Sequence, residues 1–170
     1  MRFIQILALA GLLLCPPVLA QAAPVEVAAI EARERCAVCG MFVARYANWV
    51  TQIHYVNGNV RFFDGMKDML AFNFNPEKFG GCGQDLLVTE IWVKDYYTLE
   101  WLDARTAHFV VGSTVHGPMG HEFIPFASAA AARTFLNDHQ GKQIFTFAEI
   151  TPELVESLRS GHKMRQKHGH

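Results

Sequence analysis

The residues with the clearest chemical potential are Cys36-Ala37-Val38-Cys39-Gly40-Met41. Two thiols at this spacing either share one metal ion or bond to each other, and the spacing alone leaves both open. A thioredoxin-like motif follows a strand and opens a helix; here the charged run EARER precedes Cys36 and Gly40 directly follows Cys39. A zinc site wants a second Cys/His pair, and Cys82, in a distant glycine loop, offers only a third ligand. Met41 shifts the balance. A thioether is soft and does not titrate, so beside thiolates it suits Cu(I) better than Zn(II) or Ca(II), although the commoner fate of a methionine is core filling.

A second constellation is His116-Gly117-Pro118-Met119-Gly120-His121. Its Gly and Pro residues mark a turn, which takes Met119 out of regular packing. In an extended stretch residues two apart point the same way, so Met119 and His121 can reach one ion. His116 is the weaker candidate. His162, His168 and His170 lie among Lys and Arg on a polar end and read as solvated rather than as a metal-scavenging tail. There is no nucleophile elbow, phosphate loop or pair of catalytic acids.

These segments need elements to hold them. NWVTQIHYV, Asn57-Gly58 and NVRFF read as a hairpin over residues 49–63, with both turn residues suited to positive φ. Asp64 reads as the cap of a short helix through Phe72, with Met66, Met69 and Leu70 on its apolar side. NPEKFGGCGQD is a loop, and LLVTEIWV a nearly continuous apolar strand. The second half repeats the plan: HFVVG, a Gly/Pro turn, EFIPF, the helix ASAAAARTFLNDH ended by Gly141, and the strand KQIFTFAEI. Trp49, Tyr55, Trp92, Tyr96, Tyr97 and Trp101 read as sheet packing. Thr151-Pro152-Glu153 opens a last helix with Leu154, Val155 and Leu158 on one side, before a frayed end from residue 161. The expected class is α+β, as two related ββαβ units (about 36–97 and 104–150) and a C-terminal helix.

The N-terminus explains part of the 51% hydrophobic content. Arg2, the apolar run Phe3–Leu14 and the small residues after Pro16-Pro17 form a secretory signal pattern too short to span a membrane. Cleavage is expected after Ala20, with Ala22 or Ala23 as alternatives, leaving a leader over 21–35. The competing reading is a lipid anchor on Cys15, with Leu14 where a small residue is expected. Either way the mature protein works outside the cytoplasm, where thiols meet oxidants. The chain is 170 residues with net charge −1, falling to −2 once Arg2 is removed, which excludes a basic nucleic-acid binder. A one-domain monomer of about residues 36–160 is expected.

CAVCGM, the hairpin ending in FFDG, and GPMGHEFIPFASAAAARTF together resemble the NosL family, in that order, from about Cys36 to Ile150. The resemblance implies a periplasmic Cu(I) metallochaperone, often a lipoprotein, serving the maturation of nitrous oxide reductase. It also implies two ββαβ units with a topology shared with an organomercurial lyase domain. By position it makes Cys39, Met41 and Met119 ligands, Cys36 the first cysteine of the paired form, and His121 a further donor. The implied partners are nitrous oxide reductase and its membrane assembly machinery. Two other classes stay open: a periplasmic thiol–disulfide oxidoreductase using Cys36 and Cys39, and a binding module for an organometal or other soft ligand. An oxidoreductase has no use for Met119, whereas a Cu(I) site does.

Overall fold

The computed structural model describes residues 27–81 and 87–167, with side chains through Gly161. The cleavage site, Cys15, Cys82 and the histidines of the tail lie outside the described side chains. No described helix is long and apolar enough to cross a membrane.

The first sheet has strand order β2-β1-β3-β4, formed by β1 (Thr51–Tyr55), β2 (Val60–Phe63), β3 (Val88–Lys94) and β4 (Trp101–Asp103). All its pairings are antiparallel, with Ile53 opposite Arg61 on one side and Ile91 on the other. The β1–β2 hairpin turns at Asn57-Gly58, but only Gly58 takes positive φ (+82°). The turn is one residue longer than a two-residue loop allows: the Tyr55 N–H donates to the Asn59 carbonyl and the Gly58 N–H to the Tyr55 carbonyl. The Asn57 side chain accepts from the Asn59 N–H, which removes the need for a left-handed asparagine.

Helix α1 (Met66–Phe74) follows β2, and a short 3-10 turn (Pro76–Phe79) follows it. The second sheet has order β6-β5-β7, from β5 (His108–Val111), β6 (Ile124–Phe126) and β7 (Gln143–Thr146), with helix α2 (Ala129–Asp138) between β6 and β7. The expected last strand is shorter than its apolar pattern suggested, because Phe147–Glu149 turns into a 3-10 helix with a Thr146/Glu149 capping box. Helix α3 (Pro152–Lys167) runs on past residue 161, so the backbone there is helical rather than frayed.

Two apolar clusters result. The larger gathers Ile53, Phe63, Ile91, Val93 and the α1 residues Met66, Met69, Leu70 and Phe72, with Val155 from α3. The smaller joins Val110, Ile124 and Phe126 to Ala132 and Phe135 of α2. Strand β5 feeds both: Phe109 and Val111 enter the first cluster and Val110 the second. That is the period-two alternation of a strand buried on both faces, which the unbroken HFVV run encodes. Trp49, Tyr96 and Tyr97 lie in loops rather than on strands. Tyr96 packs edge-on against Phe135, with centroids 4.8 Å apart, and Trp49 packs on Tyr96 at 6.2 Å. Buried Asp95 ties the halves together, accepting from the Tyr97 and Thr98 amides with one oxygen and from the Ala127 amide with the other.

Candidate metal centre

The segment 35–42 folds back on itself before β1. Arg35 and Phe42 form an isolated antiparallel bridge, the Cys36 N–H donates to the Met41 carbonyl at 2.8 Å, and the Gly40 N–H returns to the Cys36 carbonyl at 3.0 Å. The Ala37 N–H bonds to the Phe62 carbonyl, which fixes this loop to the end of the first hairpin. The Arg35 guanidinium lies 3.9 Å from the Phe42 ring and donates to the Gly40 carbonyl, closing the loop from outside. Both thiols are free; Cys36 is buried and Cys39 half-buried.

The cysteines face the first turn of α1. Cys36, Cys39, Asp64 and Asp68 each offer one donor atom, and these atoms lie within 4.8 Å of one another. The Cys36 thiol donates to Asp68 Oδ2 at 3.6 Å. Asp64 does not cap the helix as its position suggested. Gly65 is the cap residue and makes no side-chain bond, while both Asp64 oxygens are buried with no hydrogen-bond partner. A buried carboxylate with nothing to bond to is costly unless a cation or proton completes it. Two thiols and two carboxylates at this spacing are a donor set for one metal ion, with sulfur favouring a soft ion and oxygen a harder one.

The electrostatics fit an ion-binding pocket. The proton shared with Cys39, then burial, then the Asp64 charge push the Cys36 thiol far above its ordinary range. Burial, reinforced by Asp68, raises Asp64, with the neighbouring thiols opposing. The Cys36 thiol and the Asp64 carboxyl are thus both disfavoured as anions until a positive charge arrives to share them.

Met119 and His121 come to the same helix by another route. Their loop is closed by reciprocal Gly117–Gly120 backbone bonds, and the His116 and His121 rings meet edge-on at 4.7 Å. Lys67, buried in the first turn of α1, donates its ammonium to the carbonyls of Met119 (2.7 Å) and His121 (2.8 Å). Buried Glu122 answers from the loop side. Its Oε1 accepts from the Lys67 N–H at 2.5 Å and the Phe123 N–H at 2.9 Å, so it supplies the cap that α1 lacks in its own sequence. Glycine at position 65 permits this approach, since a Cβ there would run into the Glu122 carboxylate. Burial pushes the Glu122 carboxyl up to about 8, against the pull of Lys67 and the two amides. Burial likewise lowers Lys67.

Of the residues expected from sequence, Cys36 and Cys39 converge with the two aspartates, and the Met119–His121 backbone is clamped one residue from Asp68. His121 is not among the four converging groups. The Met41 sulfur accepts a weak hydrogen bond from the Tyr46 hydroxyl at 3.7 Å. Sequence reasoning missed Asp68, Lys67, Glu122 and the functional setting of Asp64. The available signal was three charges, Asp64, Lys67 and Asp68, inside a segment otherwise apolar enough to be core.

The chain is 27% identical over 143 residues to the copper-binding lipoprotein NosL of Stutzerimonas stutzeri, covering 79% of this chain and 71% of that protein. The crystal structure of the copper chaperone NosL from Shewanella denitrificans superposes with a TM-score of 0.65 at 26% identity, over 77% of this chain and 99% of that one. The solution structure of apo-NosL from Achromobacter cycloclastes gives a TM-score of 0.46 at 28% identity, over 62% and 87% of the two chains. The sequence profile of the NosL family matches residues 26–155, and the chain belongs to that family.

Proposed function

We propose that this protein is an extracytoplasmic Cu(I) carrier that supplies copper for the maturation of nitrous oxide reductase. The observation that carries the reading is the convergence of two free thiols, Cys36 and Cys39, on the buried Asp64 carboxyl at the foot of α1, which has no other polar group to satisfy it. The two relatives named for copper, one a lipoprotein and one a chaperone, support the metal and the export route. Copper here is cargo. Thiolates supply most of the affinity, and Met41, Met119 and His121 complete and tune a soft donor set. Because the thiols lie on a loop and the second methionine on another, a recipient's ligand can enter before all of the carrier's ligands leave. A closed four-coordinate cage would hold the ion too firmly for delivery.

The oxidoreductase alternative is disfavoured by the same geometry. An attacking cysteine needs an accessible thiol with a depressed pKa. Cys36 is buried and its pKa is raised. Titration of the reduced protein with Cu(I) against a competing chelator tests the proposal. About one tightly held Cu(I) per chain is expected; no competition with the chelator would remove the carrier reading.

A further inference from the structure

Arg159 of α3 reaches across 91 residues of sequence to the metal centre. Its Nη1 donates to Asp68 Oδ1 at 2.8 Å, with side-chain exposures of 15% and 5%. The other oxygen of the same carboxylate accepts the Cys36 thiol. A permanent cation is thus fixed one carboxylate away from the sulfurs. Its remaining neighbours hold it there: Phe79 beneath the guanidinium at 5.6 Å, and Glu156 Oε2 at 3.8 Å from Nε. An arginine does not lose its charge at any working pH, and one of its nitrogens, Nη1, is already engaged with Asp68.

We infer that Arg159 is a specificity-determining residue that makes this centre favour a monovalent soft ion over a divalent one; the inference rests on the copper-carrier reading. A fixed positive charge repels an incoming ion in proportion to that ion's charge, so it penalises Zn(II) about twice as much as Cu(I). It also occupies one oxygen of Asp68, a hard donor that a divalent ion would recruit. Thiolate softness alone does not separate the two ions well, because Zn(II) also binds cysteine. The guanidinium adds a second criterion, charge, to the first.

The test measures Cu(I) and Zn(II) affinities by chelator competition for the reduced parent protein, R159M, R159Q and R159K. In R159M, Zn(II) binding should tighten about tenfold or more and Cu(I) binding about threefold or less. R159K keeps the charge and should keep the parent's ratio. Loss of α3 docking would instead weaken both ions together and leave the ratio unchanged, which overturns the inference. R159Q retains a donor toward Asp68 and serves if the methionine variant does not fold. A parent protein that binds Zn(II) as tightly as Cu(I) overturns the inference with no variant needed. Failure of the parent to bind Cu(I) at all would instead sink the carrier reading.

Discussion

The two sheets carry the same local plan, a hairpin, a helix and a returning strand, yet their helices begin in opposite ways. Helix α2 starts conventionally: the Ser128 side chain accepts from the Ala131 N–H, and only Ala132 and Phe135 are buried. Helix α1 has no cap of its own and buries Lys67 and Asp68 in its first turn, with Asp64 buried just before it. Burying charge opposes stability unless partners compensate it. The partners come from far away in the chain: the Met119 and His121 carbonyls accept the Lys67 ammonium, and Arg159 of α3 pairs with Asp68. One helix start is therefore a local structural device, and the other is a junction where four segments meet around the cysteines. Departures from the simple rules of burial and capping concentrate at the start of α1, where the proposed copper site lies, and are absent from the start of α2.

Substitutions at the two helix starts should separate these roles. Lys67→Met should have the largest effect, a loss of about 3 kcal/mol in urea unfolding, because the Met119 and His121 carbonyls lose a charge-assisted donor in a part-buried setting. It should also weaken Cu(I) binding by releasing the Met119 loop. A variant with parent stability would show that the junction is not held by this ammonium. Cys39→Ser should leave the fold intact by circular dichroism and weaken Cu(I) at least about tenfold, since thiolate carries the dominant charge and softness. Met119→Leu should weaken Cu(I) less, by several-fold, at a stability cost under about 1.5 kcal/mol. Ser128→Ala is the control in the other half: about 1 kcal/mol of stability and no change in copper affinity. A copper effect there as large as that of Cys39→Ser would dissolve the contrast.

The smallest effect is on pH dependence. Glu122 holds its proton up to about pH 8 in the fold, against an ordinary value of 4.5. Between these values the folded state binds more protons than the unfolded one. The stability from this group is complete below about pH 4.5 and is lost as pH rises through 8. Glu122→Gln, which cannot ionise, should flatten that part of the stability–pH profile. An unchanged slope between pH 5 and about 8.5 would place the titration elsewhere.

Much of this molecule was legible before its structure. The Asn-Gly turn, the unbroken HFVV run and the Thr-Pro-Glu helix start each report a local preference, and each element formed where its pattern lay. Strand β4 was not found, because Trp101–Asp103 is too short to show alternation. The end of α2 also differed: Gln140 rather than Gly141 takes the left-handed conformation, at φ 56°. In the site, the cysteines were visible through spacing and softness. Asp64 was misassigned because an aspartate before a helix ordinarily caps it, and here Glu122 took over that task and left the aspartate facing the thiols. Glu122 and Arg159 left no local trace. Their partners lie 55 and 91 residues away, and only the packing of the Met119 loop and α3 against α1 brings them together.

The central claim is that the two thiols at the foot of α1 are the copper ligands. Copper K-edge X-ray absorption on the Cu(I)-loaded, reduced protein tests it most directly, compared with Cys39→Ser loaded the same way. The account predicts a first shell dominated by sulfur at about 2.3 Å, the usual distance for metal–thiolate bonds, and a loss of sulfur scattering in the variant. A first shell of only nitrogen and oxygen, or a sulfur shell unchanged by Cys39→Ser, would contradict it.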